Sequence, residues 1–146
     1  MNLRDLREMA EAIKQMNGRV EVGVPASASG DKGVSLALIA AVHEFGSLDG
    51  RIPQRSFLRP AIEKNLEAFK RITFDSLVKV AEGRMPLSTA FGRLGQAAVS
   101  AVKTEMTTGS YVPLKPATIK RKGSSRPLID TGNLRQSITY VVTEGG

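Results

Sequence analysis

The chain's single histidine is followed by a glutamate, His43-Glu44, near the end of a predicted helix. A zinc-protease site of this type needs a second histidine four residues after the first, and Ser47 stands at that position. Because the chain contains no cysteine, thiolate metal sites, cysteine nucleophiles and disulfides are excluded as well. The sequence therefore predicts no metal site, and we interpret His43 as a helix-terminal residue whose ring meets the negative end of the helix dipole.

Nucleophilic catalysis is also not indicated. A Ser-His-Asp set would have to use His43, and the chain contains no Gly-x-Ser-x-Gly turn. Gly92 and Gly95 are not the glycines of a phosphate-binding loop, since they lie inside an amphipathic helix and follow no strand. We predict that they serve helix packing, and that the protein has no catalytic residue, no cofactor and no enzymatic activity.

The charge of the chain is basic and unevenly distributed. Its 21 Lys and Arg against 14 Asp and Glu give a net charge of +7, divided as −2 over residues 1–50, +5 over 51–100 and +4 over 101–146. Such an excess favours contact with polyanions or acidic protein surfaces. The densest positive cluster consists of Lys115, Lys120, Arg121, Lys122 and Arg126. Two interpretations of this cluster stay open. It contacts DNA phosphates or an acidic partner, or it is a solvated helix end whose cations interact favourably with the helix dipole.

The length and composition predict one globular domain. The 146 residues are 41% hydrophobic and 24% charged, which is an ordinary balance for a folded chain. The longest apolar run, residues 36–42, is far shorter than the ~20 residues of a membrane-spanning helix. The N-terminus lacks the apolar region of a signal peptide. We therefore expect a soluble protein, made inside the cell, that contacts no membrane.

Hydrophobic periodicity predicts the elements that position these residues. A helix over residues 3–16, capped by Asn2, precedes a half-buried strand over 19–24. An alanine-rich helix over 36–45, ended by Gly46, is expected to be well buried. Two helices follow: Pro60 begins the first, over 60–83, and Ser88 caps the second, which ends near Gly109.

The last predicted element is a strand over at least residues 137–142, pairing with the strand at 19–24. The fold class is α+β, with a small antiparallel sheet packed against an N-terminal helix and a long helical hairpin. The single domain spans residues 1–146, and flexible loops are predicted at 26–33, 46–59 and 109–133.

Three stretches of the chain follow one another in a characteristic order. Residues 41–46 read Ala-Val-His-Glu-Phe-Gly, and residues 52–60 read Ile-Pro-Gln-Arg-Ser-Phe-Leu-Arg-Pro. The third stretch begins at Leu114 and includes Pro-Leu-Ile-Asp-Thr-Gly-Asn-Leu over residues 127–134. This order resembles tailed-phage tail-completion proteins, also called virion morphogenesis or neck proteins, over residues 20–142. Tyr111 stands where such proteins often carry Trp.

The resemblance implies a structural virion protein that forms a ring at the head–tail junction. The ring would complete the tail and join it to the connector below the portal. Its partners would be copies of itself (a hexamer favoured, a dodecamer possible), the portal or connector, and the tail-tube or tail-terminator proteins. The protein would be located in the virion, and in the host cytoplasm during assembly. Two alternatives stay open: a tail terminator capping the tail tube, or a small basic nucleic-acid-binding module.

The irregular segment after Gly46 is the predicted interface, because loops on rigid scaffolds commonly carry binding residues. Phe57 and Leu58 are expected to enter a hydrophobic pocket of an adjacent subunit or of the tail tube. Arg55 and Arg59, with Arg51 nearby, would pair with carboxylates at the rim of that pocket. Aromatic and Arg residues are expected here because they contribute most of the binding energy of protein interfaces. The basic cluster would line the channel and contact packaged DNA or an acidic partner.

Overall fold

The computed structural model describes residues 2–113, 115–116 and 133–145. Within this part of the chain six α-helices accompany a two-stranded antiparallel sheet, so the predicted α+β class is confirmed. The elements are α1 (Leu3–Gln15), β1 (Gly18–Gly23), α2 (Leu36–Phe45), α3 (Leu58–Lys64), α4 (Leu66–Ala81), α5 (Leu87–Thr108), α6 (Asn133–Ser137) and β2 (Thr139–Glu144).

Helix α1 begins as its sequence predicts. The Asn2 side chain accepts a hydrogen bond from the backbone N–H of Asp5 at 2.9 Å, and the Asp5 carboxylate accepts one from the N–H of Asn2 at 3.1 Å. This reciprocal pair satisfies N–H groups that the first turn of a helix leaves without partners. The helix lies against α4, yet none of its residues is buried.

The predicted pairing of the two strands is confirmed. β1 and β2 run antiparallel, with Val20 opposite Val142 and Val22 opposite Tyr140. Beyond the ladder, the N–H of Gly145 donates to the carbonyl oxygen of Asn17 at 2.7 Å. The chain between α1 and β1 is therefore tied to the C-terminal end of the fold.

The start of the second strand was predicted too early. Residues up to Ser137 form α6, and β2 begins at Thr139. Leu134 and Ile138 are both buried in the core. Residues four apart share a side in a helical turn as well as in a strand, so alternation alone could not distinguish the two. The Ser137 hydroxyl donates to the carbonyl of Leu134 at 2.6 Å, which stabilises the turn.

The predicted helical hairpin is present, and its first arm is divided. α3 and α4 meet at Asn65, whose side-chain amide donates to the carbonyl of Ala61 at 2.8 Å. Two polar contacts show that α5 runs back along this arm. They are the ion pairs of Lys64 with Glu105 at 2.8 Å and of Arg93 with Asp75 at 3.0 Å.

Two predicted helix starts need correction. The first arm begins at Leu58, so Pro60 occupies the third helical position rather than the first. The shift costs no hydrogen bond, because the first four N–H groups of a helix have no partner within it. The second arm begins at Leu87 after Pro86, and Ser88 lies inside the helix without capping it.

The segment predicted as a loop over residues 26–33 is held by backbone hydrogen bonds. The N–H of Gly30 donates to the carbonyl of Val34 at 2.8 Å, and the N–H of Leu36 donates to that of Ala28 at 3.0 Å. A short 3₁₀ helix, Asp31–Gly33, lies between them. The segment thus leads the chain directly into α2.

The hydrophobic core lies where α2, α3, α5 and α6 meet. Its members are small or medium-sized apart from one aromatic ring. They are Leu36, Ala40, Phe57, Ala61, Val102, Met106, Leu134 and Ile138. Phe57 is 0% exposed and is the largest of these fully buried side chains.

Gly95 allows the sheet to approach α5. A Cβ atom at this position would overlap the ring of Tyr140 in β2, whereas one at Gly92 would lie 3.6 Å from the Tyr140 hydroxyl, an ordinary contact. The expectation that these glycines serve helix packing therefore holds for Gly95. One turn away, Gly92 is under no such constraint.

The two glycines provide a matched test of this packing. Gly95→Ala should lower the free energy of unfolding by about 1–3 kcal/mol, because the added methyl forces Tyr140 away from α5. Gly92→Ala should raise it by up to about 1 kcal/mol, since alanine favours a helix and meets no obstacle. Urea denaturation of both variants measures the difference. Equal effects at the two positions would contradict the packing of Tyr140 on Gly95.

Candidate interaction surface

The carboxylate of Glu44 joins the end of α2 to the start of α3. It accepts hydrogen bonds from the Ser56 hydroxyl at 2.5 Å and from the backbone N–H groups of Phe57 and Leu58, both at 2.9 Å. A fourth comes from the N–H of Arg59 at 3.2 Å. α3 has no side-chain cap from its own N-cap residue, so Glu44 supplies the missing acceptor from another helix.

The same contacts keep Glu44 ionised. Its burial alone would raise the pKa of the carboxyl group, because burial disfavours the charged form. The hydrogen bonds from the Ser56 hydroxyl and from three backbone N–H groups outweigh that effect and hold the pKa below the ordinary value. The positive end of the α3 dipole also favours a negative charge at this position.

The irregular segment after α2 is fastened to the end of that helix. It turns at Gly46, which has a φ of +79° that favours glycine. The N–H of Arg55 donates to the carbonyl of His43 at 2.7 Å, and the Gln54 side chain donates to that of Glu44 at 2.9 Å. The segment therefore returns to α2 before α3 begins, and His43 lies in the last turn of α2 as predicted.

Arg55 connects this segment to the chain after α5. Its guanidinium donates to the carbonyl oxygens of Val112 at 2.8 Å and Pro113 at 3.4 Å, and burial lowers its pKa. Nearby, the hydroxyl of Tyr111 donates to the carbonyl of Glu105 at 2.6 Å, and its ring packs against the core. Burial and the carboxylates of Glu105 and Glu44 raise the pKa of Tyr111.

These contacts correct part of the predicted interface. Phe57, expected to anchor in a neighbouring subunit, is 0% exposed and belongs to the core, and Arg55 is only 7% exposed. Both side chains are used within the subunit and are not available to a partner. Leu58 is half-buried, while Arg51 and Arg59 are exposed. Arg51 forms a surface ion pair with Asp49 at 3.3 Å.

The predicted basic cluster lies mostly outside the described residues. Lys115 is described and is exposed. Lys120, Arg121, Lys122 and Arg126, and most of the loop predicted over 109–133, fall within the part that the structure does not describe.

An apolar surface at the end of α2 was missed by the sequence analysis. Leu38 is 63% exposed, Phe45 is 71% exposed and Leu48 is fully exposed. These three residues, here called the α2 patch, line a surface depression of about 560 Å³ together with Ala41 and Val42. The helix was expected to be well buried because its residues are uniformly apolar, but only one side faces the core. Large exposed apolar groups of this kind mark binding surfaces.

The described residues bring together no group of three or more His, Asp or Glu side chains that could hold a metal ion. Among the same residues, no helix has the length and hydrophobicity needed to cross a membrane. Comparison of the chain with protein-family models, with curated proteins and with solved structures finds no match.

Replacing the Glu44 carboxylate tests its role in joining α2 to α3. Glu44→Gln should lower the free energy of unfolding at pH 7 by about 2–3 kcal/mol, because buried N–H groups lose a charged acceptor. Glu11→Gln, which removes only the exposed pair with Lys14, should change it by less than about 1 kcal/mol.

The pH dependence of stability gives a second readout of the same variants. Because the folded-state pKa of Glu44 lies below its ordinary value of 4.5, its stabilisation is present above that pH. It is lost as the pH falls through the lowered pKa. Glu44→Gln should remove this part of the acid dependence, and Glu11→Gln should keep it. Parallel pH profiles for Glu44→Gln and the unmodified protein would contradict this role.

Proposed function

We propose that this protein is a structural subunit of a tailed-phage virion, forming a ring at the head–tail junction that completes the tail and joins it to the connector. The order of the three sequence stretches supports this assignment. The first two stretches are also in contact, because Glu44 of the first accepts hydrogen bonds from residues of the second. Arg55 of the second stretch is bound in turn to the carbonyls of Val112 and Pro113, just before the third.

The observation that carries the proposal is the α2 patch. Its side chains are exposed, while the segment that follows α2 is held by the turn at Gly46 and by the hydrogen bonds of Glu44 and Arg55. A rigid support lowers the entropy lost when a surface becomes ordered on binding. A preformed apolar surface of this kind suits a subunit whose work is to bind neighbouring proteins.

The proposed contacts can be assigned to different neighbours. The α2 patch would bind an apolar pocket of the tail tube or connector, with exposed Arg51 and Arg59 pairing with carboxylates around it. The basic cluster that includes Lys115 would face the channel and its DNA. Copies of the chain would supply the ring, whose closed form requires contacts that repeat at one fixed rotation.

Two phenylalanines separate a role in folding from one in assembly. Phe57→Ala should destabilise the isolated protein by about 3–5 kcal/mol, because it leaves a cavity in the core. Phe45→Ala should change its stability by no more than about 0.5 kcal/mol and still abolish assembly into infectious particles. Thermal unfolding and complementation of a phage lacking the gene measure these two effects. Full complementation by Phe45→Ala would contradict a binding role for the α2 patch.

Electron microscopy of a phage lysate without this protein tests the function itself. Filled heads beside separate, finished tails are expected for a subunit that completes and joins the tail. Tails of uncontrolled length would instead assign the protein to tail termination. Normal infectious particles would overturn the structural proposal and favour a basic nucleic-acid-binding module.

A further inference from the structure

Helix α1 carries more apolar surface than its own fold covers. Met9 and Ala12 share one side of the helix and are half-buried, as is Met16 just after its end. On the adjoining side Leu3, Leu6 and Ile13 are 68%, 51% and 39% exposed. We call Leu3, Leu6, Ala10 and Ile13 the α1 stripe. Their spacing of i, i+3, i+7 and i+10 is that of one face of an α-helix.

A second apolar surface lies between α4, α5 and β1. It is a groove of about 480 Å³ whose lining is almost entirely apolar. Its lining residues are Val20, Val22, Ile62, Leu66, Phe69, Lys70, Thr73, Phe74, Leu77, Leu94 and Ala98. Leu66 is 46% exposed and Phe74 73% exposed, and no residue of α1 lines the groove.

The α1 stripe and this groove match in length and in periodicity. At 1.5 Å per residue, the stripe from Leu3 to Ile13 is about 15 Å long. The α4 residues along the groove, from Leu66 to Leu77, extend over about 16 Å at the same rise. Amphipathic helices that bind apolar grooves use anchors spaced by three and four residues, as the stripe does.

Arg7 beside the α1 stripe and Glu63 beside the groove carry opposite charges. Arg7 is exposed and lies next to the α1 stripe on the helix, as does Lys14, which pairs with Glu11 at 2.8 Å. Glu63 is exposed and follows the groove residue Ile62 directly in the chain. Glu67, which follows Leu66, pairs with Lys70 of the groove at 2.9 Å. Opposite charges at the rim of an apolar contact favour one orientation of docking and speed association.

We propose that the α1 stripe of one copy of this chain binds the groove of a second copy. Within one copy no residue of the stripe lines the groove. α1 contacts α4, the half-buried Met9 and Ala12 lie beside the stripe and not in it, and only Met16 and Asn17 join α1 to β1. The hydrogen bond between Gly145 and Asn17 fixes that junction. Since stripe and groove are different surfaces, the contact can repeat from copy to copy.

This inference rests on the proposed function in one respect, that copies of the chain assemble with one another. It adds the surfaces through which they do so. The number of copies is then set by the angle at which α1 enters the neighbouring groove, because a head-to-tail contact closes a ring at one rotation only.

The absence of cysteine in the chain permits a direct crosslinking test. Leu6→Cys on the stripe and Thr73→Cys in the groove are placed on separate chains, mixed and oxidised. Disulfide-linked heterodimers should form at least about tenfold faster than with Glu8→Cys, on the opposite side of α1, paired with Thr73→Cys. Equal rates for the two pairs would overturn the proposal. So would a double variant, Leu6→Cys with Thr73→Cys in one chain, that closes only within its own monomer.

Self-association gives an independent measurement. Leu6→Glu should raise the dissociation constant of the assembled copies by about 30-fold, because it places a charge in an apolar contact. Gln15→Glu, on the opposite side of α1, should leave it within about twofold. Analytical ultracentrifugation measures both, with circular dichroism to establish folding. An unmodified protein that stays monomeric at all concentrations, or equal effects of the two substitutions, would overturn the proposal.

Failure of this inference can be told apart from failure of the proposed function. Separate heads and finished tails in a lysate without the protein, combined with equal crosslinking rates, would overturn the α1 contact alone. Preferential crosslinking combined with normal particles that lack the protein would overturn the virion role and keep the contact between copies.

Discussion

The carboxylate of Glu44 accepts hydrogen bonds from one hydroxyl and three backbone N–H groups, and the placement of the surrounding elements depends on them. They start α3 against the end of α2, which brings Phe57 into the core. Arg55 is then in reach of the carbonyls of Val112 and Pro113. Glu44 therefore couples the end of α2 to the start of α3, and Arg55 adds the segment after α5. Removing the donors to Glu44 would leave a buried charge uncompensated.

The distribution of apolar side chains follows from this arrangement. Among the described residues, Phe57 is the one aromatic side chain of the buried core cluster, while sizeable apolar groups remain on the surface in the α2 patch and the α1 stripe. A chain that contacted nothing else would gain by covering them. Their positions, one on the segment fixed by Glu44 and the other on an N-terminal helix, suit contacts with two different neighbours. Such a division would suit the ring subunit that we propose.

Much of the fold could be predicted because local patterns determine it. The cap at Asn2, the alternation around Val20 and the stop at Gly46 are local signals, and the elements they predict are present. The candidate site could not be predicted in the same way. Phe57 and Arg55 follow a segment rich in glycine and proline, which favours an exposed loop. Phe57 is held in the core where its backbone N–H donates to Glu44, 13 residues earlier in the chain. Arg55 is buried by its own hydrogen bonds to the carbonyls of Val112 and Pro113, 57 and 58 residues away.

An NMR titration of the Glu44 side-chain carboxyl carbon tests the central role of this charge most directly. Its midpoint should lie below 4.5, the ordinary value for a glutamate. The backbone N–H protons of Phe57, Leu58 and Arg59 should shift with the same midpoint, because they donate to that carboxylate. A midpoint at or above 4.5, with the three N–H resonances unresponsive to it, would contradict the account.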